Sequence, residues 1–116
     1  MKILLVDDDP VVRILVGDYL SAHGHQVQTR ENGASAMEAL THKDETPDVV
    51  ILDYMMPDMS GLEVLKSLRS TNGTLPVVML SADKSNFNEQ TAQADVTLEK
   101  PFALDMLEAT LEKLLK

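Results

Sequence analysis

Six polar residues stand at the ends of short apolar runs, and together they could do chemistry that none does alone. Ile3-Leu4-Leu5-Val6 ends in Asp7, Asp8 and Asp9, and Val49-Val50-Ile51-Leu52 ends in Asp53. Val77-Val78-Met79-Leu80 ends in Ser81, and a weaker run from Val96 to Glu99 ends in Lys100 followed by Pro101. Two unit charges about 4 Å apart repel by roughly 4 kcal/mol at an effective dielectric near 20. Clustered carboxylates therefore take up protons or recruit a cation. An all-oxygen set with no cysteine favours a hard metal, and a few carboxylates plus waters suit Mg²⁺ better than a dedicated Ca²⁺ cage. Three carboxylates and one Mg²⁺ leave a single negative charge, which Lys100 can offset. Such a site lacks one ligand, a phosphoryl oxygen. Metal, lysine and hydroxyl together stabilise a transferring phosphoryl group, and one carboxylate could be the nucleophile that forms an acyl phosphate. Each acid taken singly has a plainer role as a helix cap, Asp9 most easily.

That chemistry requires elements that bring distant residues to one rim. The three strong runs are short, rich in branched side chains and bounded by polar or turn residues, as expected of strands buried on both faces of a parallel sheet. Residues 26–30 alternate and form a weaker strand, as do residues 96–99. Helical patterns fill the gaps. Pro10 suits a first turn, Val12, Val16 and Leu20 follow at helical spacing, and Gly24 suits the stop. A second helix is predicted over residues 34–42, and a third after Gly61 with Leu62, Leu65 and Leu68 on one face. The last follows Pro101, with Leu104, Leu107, Leu111 and Leu114 in phase. Between Ser81 and Val96 the sequence is rich in capping and turn residues, so any fourth helix is short or irregular. Alternating strand and helix predicts an α/β domain, a doubly wound five-stranded parallel sheet. Ligands of such sheets bind beyond the carboxyl ends of the strands, where the polar residues stand.

Composition excludes several alternatives. The 116 residues carry ten Lys plus Arg against nineteen Asp plus Glu, a formal net charge of −9. This length reads as one domain over residues 1–116. The acidic balance argues against direct nucleic-acid binding, which rewards a basic face. The absence of Cys excludes a disulfide scaffold, a thiol nucleophile and a thiolate zinc site. The opening apolar run is too short for a signal peptide or a membrane span, so the expectation is a cytoplasmic chain without a membrane partner.

Four segments carry a family resemblance. Leu4-Leu5-Val6-Asp7-Asp8-Asp9-Pro10, Asp53-Tyr54-Met55-Met56-Pro57-Asp58-Met59-Ser60-Gly61, Val78-Met79-Leu80-Ser81-Ala82 and Lys100-Pro101-Phe102 resemble the receiver domain of two-component response regulators, of the single-domain chemotaxis-regulator kind. The resemblance covers nearly the whole chain, in the right order, and implies the flavodoxin-like strand order 2-1-3-4-5. It implies that Asp53 accepts a phosphoryl group from a phosphohistidine on a sensor histidine kinase or phosphotransfer protein. It implies that Asp8 binds Mg²⁺ directly and Asp7 mostly through water, with the backbone carbonyl of Met55 and Asp53 completing the set. Lys100 would pair with Asp53 and then with the phosphoryl group, and Ser81 would swing toward that group to switch a downstream protein or fused output domain. Met55 and Asp83 occupy places that tune the lifetime of the phosphate, and the Lys100–Pro101 bond is expected to be cis. A receiver of this kind is not an enzyme in the turnover sense, since it catalyses only its own phosphorylation and dephosphorylation.

Three departures fall on one face. An aromatic often found three residues before the lysine is Thr97 here, and a glycine common seven before it is Gln93. The interval from Ser81 to Lys100 is also shorter than usual. The expectation is intact phosphorylation chemistry with a different readout. Two other readings are weighed. One is a phosphate-independent adaptor with the same fold. The other is a haloacid-dehalogenase-type phosphohydrolase, suggested by Asp7-Asp8-Asp9-Pro10-Val11, although the chain lacks that family's later acidic pair and gives Asp53 no nucleophilic role. His23, His25 and His42 read as surface residues near helix ends, and Glu108, Glu112, Lys113 and Lys116 as an ordinary solvated helix. Met55, Met56 and Met59 read as loop packing. Tyr54 flanks the pocket or packs beside it, and Phe87 is either a core anchor or an exposed contact.

Overall fold

The computed structural model describes residues 1–42 and 46–115, so Lys116 lies outside the described residues. Five strands, β1 (Lys2–Val6), β2 (Gln26–Arg30), β3 (Val49–Asp53), β4 (Val77–Ser81) and β5 (Val96–Glu99), form one sheet. All pairs are parallel, as the sequence pattern predicts, and the order is β2-β1-β3-β4-β5, as the resemblance implies. Helices α1 (Pro10–Ala22), α2 (Gly33–Thr41), α3 (Gly61–Thr71) and α4 (Leu104–Leu114) cover its two faces.

Apart from Lys2 at the start of β1, the three central strands are buried along their length, and their period-two alternation sorts the core into two halves. Leu4, Val6, Val50, Leu52, Val77 and Met79 pack with Ala36, Ala39, Val64, Leu65 and Leu68 under α2 and α3. Ile3, Leu5, Val49, Ile51, Val78 and Leu80 pack with Val16, Leu20, Leu107 and Leu111 under α1 and α4. Tyr54, Met56, Met59 and Phe87 are half-buried against the first half, so Phe87 is a core anchor.

Caps fix where the helices begin. Asp9 accepts the Val11 amide at 2.9 Å, Asn32 the Ser35 amide at 2.8 Å, and Ser60 the Glu63 amide at 3.2 Å. Asn32 starts α2 one residue earlier than the apolar pattern indicates. In place of a helix between β4 and β5 there are two 3₁₀ turns, Lys84–Asn86 and Glu89–Thr91. Among the described residues no helix is long and apolar enough to cross a membrane.

Two of the sequence expectations need correction. His25 is not a free surface residue: its Nε2 lies 2.8 Å from Glu108 Oε1, with both side chains largely buried. Glu108 is therefore not a solvated helix residue either. The pair ties the start of β2 to α4. A histidine next to the tight turn at Gly24 (φ 90°) reads as exposed from sequence, because what covers it, the N-terminal amine of Met1 and the distant α4, is far away in the chain.

Candidate functional site

Parallel register assembles the site. Val6 pairs with Leu52 across β1 and β3, so the next residues along, Asp7 and Asp53, stand side by side at the carboxyl end. Asp53 pairs with Leu80, and Ser81 with Glu99, so Ser81 and Lys100 follow on the same rim. The Lys100 amide donates to the Ser81 carbonyl at 2.8 Å, and the Tyr54 amide to the Leu80 carbonyl at 2.8 Å. The Lys100–Pro101 peptide is cis, as expected.

Asp7, Asp8 and Asp53 each offer a carboxylate oxygen, and the three oxygens lie within 4.8 Å of one another. Asp7 is fully buried and Asp53 only 4% exposed, whereas Asp8 opens to solvent. Lys100 bridges the buried pair: Nζ is 2.8 Å from Asp7 Oδ2 and 3.1 Å from Asp53 Oδ1. Asp7 Oδ1 accepts the Asp9 amide at 2.9 Å. Burial and the neighbouring charge of Asp7 push the Asp53 carboxyl up to about 6, against the pull of Lys100, with Asp8 adding to the rise. Burial draws the Lys100 ammonium down, but its hydrogen bond to Asp7 and the charges of Asp53 and Asp7 leave it above the ordinary lysine value. One ammonium does not compensate three acids, and the imbalance falls on Asp53.

The loop after β3 folds tightly over the site. Gly61 donates its amide to the Tyr54 carbonyl at 2.8 Å. A Cβ there would lie 2.2 Å from the Asp53 carbonyl oxygen, so only glycine lets α3 begin this close to β3. Met55, in this loop, has an exposed side chain.

These geometries are matched by known proteins. The response regulator receiver domain model matches residues 3–112. The chain belongs to the response regulator receiver domain family. The chain is 40% identical over 120 residues to the response regulator MprA of Mycobacterium avium (strain 104), and 41% identical to that of Mycobacterium leprae (strain TN). All of this chain and 51% of each relative are covered, so the receiver spans about half the length of those curated relatives. Among solved structures it is similar to the response regulator TrrA of Thermotoga maritima in complex with Mg²⁺-BeF, with a TM-score of 0.91, 34% identity and 98% of each chain covered. It is also similar to the receiver domain of the Francisella response regulator 1452, with a TM-score of 0.89, 30% identity, and 98% and 95% covered.

Of the residues singled out in the sequence, the receiver brings Asp7, Asp8, Asp53 and Lys100 into one cluster. It does not bring the Ser81 hydroxyl into a hydrogen bond with them. Ser81 is buried at the end of β4, and its Oγ bonds to residues 83 and 86 instead. Asp83 is exposed and caps the first 3₁₀ turn through the Ser85 amide at 2.9 Å; the Ser85 hydroxyl first, and that amide second, hold its carboxyl below the ordinary aspartate value. Thr97 lies exposed on β5.

Sequence reasoning missed two supporting residues. Arg13 donates from Nη1 to the Asp7 carbonyl at 2.6 Å, bracing the strand end from the first turn of α1. Asp58 accepts the Gly33 and Ala34 amides at 3.1 and 3.0 Å, fastening the loop after Asp53 to the start of α2. Those amide bonds hold the Asp58 carboxyl below its usual value. Neither contact has a local spacing signal, since each joins separate elements or a side chain to a bend.

Proposed function

We propose that this receiver accepts a phosphoryl group on Asp53 from a phosphohistidine of a sensor histidine kinase or phosphotransfer protein, in a Mg²⁺-dependent reaction. The observation that carries the reading is the three-carboxylate cluster with Lys100 bridging Asp7 and Asp53. Its all-oxygen donors and uncompensated charge fit a hard divalent cation. Asp7, Asp8 and Asp53 would hold Mg²⁺, together with the backbone carbonyl of Met55. When bound, the ion supplies positive charge to the phosphoryl oxygens. An Asp53 carboxylate oxygen attacks phosphorus, the phosphorus–nitrogen bond breaks, and the departing imidazole keeps the electron pair. Lys100 moves its charge from the Asp53 carboxylate to the new phosphoryl oxygens. Ser81 donates its hydroxyl proton to another of those oxygens, biasing the segment after β4.

Asp53, rather than Asp7, suits the nucleophile. Asp7 has one oxygen on Lys100 and the other on the Asp9 amide, whereas Asp53 keeps an oxygen outside the Lys100 contact. This supports the acceptor reading over a haloacid-dehalogenase-type hydrolase, in which Asp7 would attack. The built charge cluster likewise has no use in a phosphate-independent adaptor. Turnover is confined to the protein's own acyl phosphate, in a cytoplasmic setting. The output is a downstream protein or a fused domain, without direct nucleic-acid contact by this acidic domain.

Intact-mass measurement with a small-molecule phosphodonor tests the reading. A labile phosphoryl adduct is expected on the wild type with Mg²⁺, and none without Mg²⁺ or on Asp53→Asn. An adduct that survives Asp53→Asn would move the nucleophile elsewhere and defeat the proposal.

A further inference from the structure

The Ser81 hydroxyl is fully occupied in this structure, and not by the acidic site. Oγ donates to the Asp83 carbonyl at 3.0 Å and accepts the Asp83 amide at 3.1 Å. It also accepts Nδ2 of Asn86 at 2.9 Å. A hydroxyl has one proton to give and two acceptor positions, so nothing is left over. The two Asp83 contacts are what a serine makes at many turns. The Asn86 contact is different, because it reaches five residues along and exists only while residues 84–86 hold their 3₁₀ turn.

That turn is built to hold Asn86 there. Its start is capped by Asp83, the Asn86 amide donates to the Asp83 carbonyl at 3.1 Å, and the Phe87 amide donates to the Lys84 carbonyl at 3.0 Å. Phe87 then anchors the segment in the core under α2 and α3. Asn86 is half-buried, and Ser81 is 1% exposed.

We propose that Asn86 is a positioning residue: it holds the Ser81 hydroxyl away from the phosphoryl site at rest, and is released when Ser81 engages a phosphoryl group. The proposal rests on the reading of Asp53 as phosphoacceptor. Ser81 has a single proton, so giving it to a phosphoryl oxygen takes it from the Asp83 carbonyl. Once Oγ turns, the Asp83 amide and the Asn86 amide group lose their acceptor. Water can take the amide of the exposed Asp83, but an unpaired side-chain amide on the half-buried Asn86 is costly, so the turn rearranges rather than persisting around a gap. Two bonded arrangements thus compete for one hydroxyl, and a phosphoryl group biases the choice. The moving part is the surface of residues 83–91, which needs no aromatic ring at Thr97.

Titration of the intact chain with beryllofluoride and Mg²⁺, followed by NMR, tests this. Asn86→Ala removes a bond made only at rest, so the mimic is expected to bind about threefold to tenfold more tightly. In a Ser81→Ala background the same substitution is expected to change nothing, which separates positioning from a general effect on the fold. An unchanged or weaker affinity in Asn86→Ala, or an equal gain without Ser81, overturns the proposal. Wild-type Hα–Hβ couplings of Ser81 give a measurement independent of the variants: one rotamer without the mimic and another with it are expected, and an averaged or unmoved rotamer counts against the proposal. A wild type that takes up no mimic overturns the phosphoacceptor reading and the proposal with it. A wild type that binds, with no gain in Asn86→Ala, overturns the proposal alone.

Discussion

The acidic rim and the segment from Ala82 to Asp95 sit side by side and are held in opposite ways. The rim is assembled from residues far apart in the chain: Lys100 and Asp7 are 93 positions apart and meet at 2.8 Å. Its backbone is clamped by sheet register while its charges remain unbalanced. The segment after β4 is the reverse, since it has no strand or α-helix and its bonds run mainly between residues two to five apart, such as Ser85 to Asp83 and Asn86 to Ser81. The rim stores electrostatic free energy in a fixed frame, and the turns store little but rearrange at low cost. A switch needs both, one part to sense a charge and one to move.

Removing the clamp should show the largest effect. Lys100→Met leaves Asp7 with no cation in a fully buried position, and a loss of about 3 kcal/mol in unfolding free energy at pH 7 is expected from urea titration. A loss below about 1 kcal/mol would mean that the rim is far better hydrated than its burial indicates.

Next is the charge that the rim tolerates. An acid whose folded value is raised from 3.8 to about 6 holds its proton more tightly folded than unfolded. Metal-free stability therefore falls as pH climbs through that window, by at most about 3 kcal/mol. Asp53→Asn abolishes this penalty. The metal-free variant should be about 1–3 kcal/mol more stable than wild type at pH 7, with the difference vanishing below about pH 3. Mg²⁺ should raise the melting temperature of the wild type more than that of the variant. Thermal melts across this pH range with a chelator present decide the sign, and a variant less stable at pH 7 would contradict the picture of a strained cluster.

The same contrast explains what was legible beforehand. The strands and the meeting of Asp7, Asp8, Asp53 and Lys100 follow from apolar runs that end in polar residues, because parallel register converts strand ends into a single rim. The family resemblance adds the strand order and the roles. Contacts between elements left no such trace. His25 with Glu108, Asp58 on the start of α2, and Arg13 on the Asp7 carbonyl each depend on how two elements are packed, which no local spacing encodes. For Ser81 the sequence yielded the residue but not its resting direction. In sequence Asn86 is one of several turn formers, and only the 3₁₀ turn places its side-chain amide on Oγ.

The smallest effect is expected at Thr97, where the family resemblance implies an aromatic. Thr97 is exposed on β5, an edge strand, and pairs across the sheet with Met79. Tyrosine and threonine both suit such a strand, so Thr97→Tyr should change stability by less than about 0.5 kcal/mol. Its effect on beryllofluoride affinity should be equally slight, because the hydroxyl that must turn is held by Asn86 and Asp83 and not by anything on β5. An added ring that tightens the mimic as much as Asn86→Ala does would show that the outer edge can restrain Ser81 after all. The movable region would then extend from the turns onto the sheet, and the division between a fixed frame and a soft segment would fail at β5.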